Sequence, residues 1–194
     1  MNRFLIIFLA LATGTGCKND DKRSSEEKGV YFPVQSFIKS QVAHVDTSLY
    51  RIQKIYWDGV NSDTTIVRRE DFRGLAKDFL DMPDISSDKL KKDYEENTGY
   101  DDMTDKMFFS YTTTDKEHEI RKQDVFMGSL PDEKGNNPVE TFVIDLVRAK
   151  GDSVVEKKMV WDVDKRFSVF RKVTSGNSEK VSRLVVTWND DRQE

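Results

Sequence analysis

The chain has 194 residues, with 31 basic and 35 acidic side chains, one cysteine and two histidines. A net charge of −4 without a clustered basic face argues against a nucleic-acid partner. A lone cysteine excludes an internal disulfide, and two isolated histidines with no Cys or His at ligand spacing exclude the usual His/Cys metal set. At the start of the chain, Met1 to Arg3 is a short positive segment, followed by the apolar run Phe4 to Ala12, FLIIFLALA. That run is well short of the roughly 20 residues a membrane-spanning helix needs. It has the length of the apolar region of a secretory signal peptide, and the small residues Gly14, Thr15 and Gly16 stand where such a peptide is cut.

Cys17 follows these small residues directly and precedes a charged stretch, KNDDK. This arrangement resembles the lipobox of bacterial lipoproteins, with Gly14 where that family most often has Leu. The resemblance implies cleavage before Cys17, lipid attachment to its sulfur through diacylglycerol with palmitate-type acyl chains, and a cell-envelope, outer-membrane location. Two other readings of Cys17 stay open: a plain secretory signal cut near Gly16, or a free structural cysteine. The polar company of Cys17 does not suit the second, because structural cysteines sit on apolar faces. Stable anchoring takes two acyl chains or more, at about 0.8 kcal/mol per buried methylene. Residues 18–29 carry no apolar side chain, so residues 17–29 read as a tether that cannot bury anything. Lys18 followed by Asp20 and Asp21 also resembles the export signal of surface lipoproteins in Bacteroidota, with a plain polar tether as the alternative.

Beyond the tether, residues 30–190 read as one domain, with 191–194 as a tail. Tyr31-Phe32-Pro33 opens it, and the apolar positions Val34, Phe37, Ile38, Val42 and Val45 predict a helix with Pro33 in its first turn. Leu49 to Trp57 and Thr64 to Arg69 are strand-like, and the turn-forming run Asp58 to Asp63 joins them as a hairpin. Phe72, Leu75, Ala76, Phe79 and Leu80 predict a second helix over 70–80, with Glu70 and Asp71 favourable in its first turn. Ser86 or Ser87 could cap a third, surface helix reaching about Glu96. The segment from Asp78 to Asp105 is rich in carboxylates. It reads as a solvated helix and acidic loop, because the pattern of a calcium-binding loop is missing.

From Met107 onward the pattern is of strands: 107–113, a weaker 119–127, then 139–148, 154–163, 167–174 and 181–188. Short links around Gly151, Asp164-Lys165 and Gly176 make the last four an antiparallel meander. One face carries Phe142, Ile144, Leu146, Val155, Met159, Trp161, Phe167, Val169, Leu184, Val186 and Trp188. The other carries Glu156, Lys158, Asp162, Lys172 and Arg183 among smaller apolar groups. The predicted class is therefore α+β: two to three helices of the N-terminal half packed on a curved, mainly antiparallel sheet.

Chemical motifs are sparse. No nucleophile elbow, zinc-protease helix or phosphate loop occurs, no cofactor is implied, and His44 and His118 read as structural or surface residues. Each tryptophan precedes an acid or amide: Trp57-Asp58, Trp161-Asp162 and Trp188-Asn189-Asp190. Converging indoles beside carboxylates would suit a glycan; ordinary strand ends followed by turns account for the same pattern. The opening YFPVQSFI and the strand ending VVTWN resemble those of small Bacteroidota lipoproteins, a likeness that implies placement and brings no activity. The expected role is a non-enzymatic envelope module that is anchored in the membrane by its lipidated N-terminus and binds an envelope protein or glycan. The alternatives are an envelope hydrolase using the dispersed acids Asp58, Asp162 and Asp190, or a purely structural lipoprotein.

Overall fold

The computed structural model describes residues 31–189. Cys17, the tether, Asp190 and the tail lie outside the described residues. The elements run α1 (Val34–Thr47), β1 (Ile52–Trp57), β2 (Ser62–Val67), α2 (Arg69–Leu75), α3 (Lys77–Leu80), a 3-10 turn (Lys91–Asp93), β3 (Glu95–Asp101), β4 (Lys106–Thr112), β5 (Ile120–Gly128), β6 (Val139–Lys150), β7 (Ser153–Asp162), β8 (Arg166–Ser175) and β9 (Ser178–Thr187). The nine strands form one open sheet in the order β2-β1-β9-β8-β7-β6-β5-β4-β3, with every neighbouring pair antiparallel. The α+β class holds. The meander is longer than predicted, running unbroken from β3 to β9, and the β1–β2 hairpin returns to lie beside the last strand.

All three helices cover one face. Val34, Ile38, Val42 and Val45 of α1 are buried at the predicted helical spacing. Phe37 packs its ring against those of Phe32 and Phe142. Pro33 stands one residue earlier than expected, as the N-cap, where its carbonyl accepts from the Phe37 N–H at 3.0 Å. The second predicted helix breaks at Ala76, whose ψ of 3° separates α2 from α3. Gly74, a poor helix former, sits two residues before the break. The kink leaves Phe72, Ala76 and Phe79 fully buried.

The third helix does not form. Asp84 organises a turn instead, its Oδ1 accepting from the Ser86 N–H at 3.0 Å and the Ser86 hydroxyl at 2.6 Å. Nor is this stretch a surface excursion, since Met82, Ile85 and Tyr94 are buried in the same core as the helices. Tyr94 donates its hydroxyl to the Ile120 carbonyl at 2.8 Å, and burial pushes that hydroxyl up to about 12. The acidic residues Glu95, Glu96 and Asp101 then fall on β3, an edge strand. Charges on an edge discourage another chain from pairing there. Gly99 in this strand lies under Phe108: a Cβ there would stand 2.6 Å from the ring. Among the described residues, no three acidic, histidine or cysteine side chains are grouped to hold a metal, and no helix is long and apolar enough to cross a membrane.

Candidate binding surface on the open face of the sheet

Strand side chains alternate between faces. On β6 to β9 the buried set Phe142, Ile144, Met159, Trp161, Phe167, Val169 and Val186 therefore sends the intervening residues to the opposite, helix-free face. Strand register aligns those residues in rows. A middle row crosses Val143, Val160, Ser168, Val185 and Ile55 from β6 to β1. On one side of it runs Asp145, Lys158, Phe170, Arg183 and Trp57; on the other, Thr141, Asp162, Arg166, Thr187 and Gln53. The open face is thus a mainly aliphatic strip between two polar rows, one of which also carries the rings of Phe170 and Trp57.

The rows converge in a depression of about 520 Å³ lined by Ile55, Trp57, Ser62, Arg166, Phe170, Arg183 and Val185. Trp57 is partly exposed and Phe170 is 40 % exposed, so both rings reach solvent. Arg183 makes no ion pair among the described residues, while Arg166 Nε donates to Asp162 Oδ2 at 2.7 Å. An aromatic wall beside a free guanidinium can stack a flat or apolar body and hold an acceptor at its edge. Arg166 also lines an adjoining cavity of about 620 Å³ with Lys106, Glu140, Thr141, Asp164 and Lys165. There the charges are mostly matched: Lys106 meets Glu140 at 2.8 Å and Arg166 meets Asp162, which also accepts from the Thr141 hydroxyl at 3.0 Å.

The residues proposed from sequence do not gather at one place. Trp161 and Trp188 face the helices, 0 % and 3 % exposed, with ring centroids 5.3 Å apart and further ring contacts to Phe72, Phe79 and Phe167. They are core residues, whereas Trp57 lies on the other side of the sheet, so no platform of three indoles is built. Asp58 closes the β1–β2 turn, its Oδ1 accepting from the N–H groups of Val60 at 2.9 Å and Asn61 at 2.7 Å. These backbone donors hold its carboxyl below the usual range. Asp162 sits three strands away and about five residues along from Asp58, which places the two roughly 20 Å apart at ordinary strand spacings. They form no catalytic pair. Asp190 and Cys17 lie outside the described residues.

Phe170, Ile55 and Val185 escaped the sequence reading, because their meeting with Trp57 depends on β1 docking beside β9. The signal that could have found Phe170 is an aromatic residue on the wet side of an otherwise regular alternation. His118 is more enclosed than its turn-like sequence suggested: its Nε2 lies 3.1 Å from Asp93 and 3.7 Å from Asp115, and its ring lies 5.6 Å from that of Tyr94. It fastens the 3-10 turn to the β4–β5 loop, a structural part. His44 makes a long contact of 3.4 Å with the Tyr50 hydroxyl at the surface.

Compared with known proteins, the chain matches no family model, no characterised protein and no solved structure.

Proposed function

We propose that this chain is a lipid-anchored envelope protein of the outer membrane, attached through Cys17, whose domain binds a ligand or partner on the open face around Trp57. The leader and Cys17 support the anchoring half. A Cys17→Ser variant is expected to lose labelling by a fatty-acid analogue and to leave the membrane fraction; continued labelling of the variant would exclude this attachment.

The binding half rests on one observation: the partly exposed ring of Trp57 shares a depression with Phe170 and with the guanidinium of Arg183, which is unpaired among the described residues. Trp161 and Trp188 are shielded in the core, so Trp57 is the indole that a ligand on the open face can reach. The test is tryptophan emission of the full chain, read while soluble envelope glycans and anionic aromatic compounds are titrated. A saturable change that disappears in Trp57→Phe and weakens in Arg183→Ala is expected. Saturable binding that leaves Trp57 emission unchanged and survives both substitutions would move the site elsewhere.

A further inference from the structure

A second cluster lies on the opposite, helix-covered side, where the core-facing alternation of β6, β7 and β8 continues past the end of the helices. The same registers that bury Leu146 and Met159 bring Arg148 and Lys150 of β6, Lys157 of β7 and Arg171 of β8 to one end of that face. These four cations line a pocket of about 370 Å³, with Leu146 and Val155 as its apolar part and Asp78 as its one acid. In a chain with a net charge of −4, this is a strong local excess.

Two of the cations are neutralised. Lys157, whose side chain is 13 % exposed, meets Asp78 of α3 at 2.5 Å. Arg148 takes both oxygens of Glu119, Nε at 2.7 Å and Nη2 at 2.6 Å. Lys150 and Arg171 make no ion pair among the described residues, although both line the pocket. Lys157 and Arg171 are also direct cross-strand partners. Like charges placed opposite each other destabilise a sheet, and Asp78 offsets only one of this pair. Counting Asp78 and Glu119, and Asp81 whose charge also reaches Arg148, the seven charged groups still carry a positive excess of one.

From this geometry we infer that the pocket is an anion site for a phosphate group, either free phosphate or a phosphomonoester. Arg171 supplies a planar fork suited to two phosphate oxygens, and Lys150 a mobile point charge from the hairpin rim. Lys157, paired with Asp78, closes the inner wall. The site is independent of the Trp57 depression, which opens on the other face of the sheet.

The test is calorimetric titration of the full chain with sodium phosphate at low, fixed ionic strength. One saturable site with an affinity of about 1 mM or tighter is expected. Arg171→Gln and Lys150→Gln should each weaken it by about tenfold. Lys172→Gln, on the open face, and Arg183→Gln should leave it unchanged. Absence of saturable binding, or binding lost in Arg183→Gln and retained in Arg171→Gln, would overturn the assignment. Vesicles containing a lipid phosphomonoester, compared with neutral vesicles, separate the two sources. Capture by the first that free phosphate displaces supports a lipid headgroup in this same pocket. Vesicle capture untouched by phosphate and by Arg171→Gln would count against the pocket.

Discussion

On β7, Met159 and Trp161 point into a dry layer beneath the helices, while Val160 and Asp162, their immediate neighbours, point to the open face. The same alternation of residues feeds both sides. What separates them is cover: α1, α2 and α3 lie on one side, and the other keeps aliphatic, aromatic and charged side chains in contact with water. Rings on the covered side pack mainly against other rings, as Trp161 does with Phe79, Phe167 and Trp188. Rings on the open side, Trp57 and Phe170, keep part of their surface exposed beside arginine. An aromatic residue in a strand therefore carries no functional meaning until its face is known.

Replacing one tryptophan on each side gives the sharpest contrast. Trp161→Ala is expected to cost about 3–5 kcal/mol in urea unfolding, because it opens a large hole in a close-packed layer. Its buried Nε1 has no hydrogen-bond partner among the described residues, so the loss should fall at the lower end. Trp57→Ala should cost clearly less, about 1–2 kcal/mol, in keeping with a partly exposed ring that leaves no enclosed hole. Equal losses at the two positions would remove the distinction drawn between the faces.

How much of this was legible beforehand follows from the same contrast. Strands β6 to β9 could be read because the covered face imposes a strict alternation, visible in Phe142, Ile144 and Leu146. The first helix was legible for the same reason at helical spacing. Strand β3 was not, because an edge strand written EENTGYD has no apolar period for a core to impose. Met82, Ile85 and Tyr94 were missed as core because they enter it from a turn and a 3-10 segment, where burial has no period. At the candidate site, Trp57 and Arg183 could be named individually. Their meeting could not, because it depends on pairing β1 with β9 across more than a hundred residues of chain.

The edge strand gives a smaller test. Gly99→Ala puts a methyl group into the ring of Phe108, and relief requires the ring to swing off the open face. The expected cost is about 1 kcal/mol. The double variant with Phe108→Ala should recover part of it, a non-additivity that double-mutant analysis of unfolding reads directly. Strictly additive losses would show that the ring does not rest on the glycine.

The smallest effect separates structure from charge at the basic end of the covered face. Arg148 donates two hydrogen bonds to Glu119 and holds its carboxyl below the ordinary value of 4.5. A carboxyl whose value is lowered on folding stabilises the folded state above its unfolded value, and that contribution is lost as pH falls through the folded one. Both side chains remain substantially exposed, so solvent limits the pair to about 1 kcal/mol or less. Glu119→Gln is therefore expected to unfold slightly more readily than the parent at pH 7, with the gap closing as pH drops below about 4.5. If the gap persisted undiminished into strong acid, Glu119 would be acting through packing. If it closed, removal of Glu119 should also free Arg148 and strengthen phosphate binding in the neighbouring pocket, tying the small stability term to the anion site it borders.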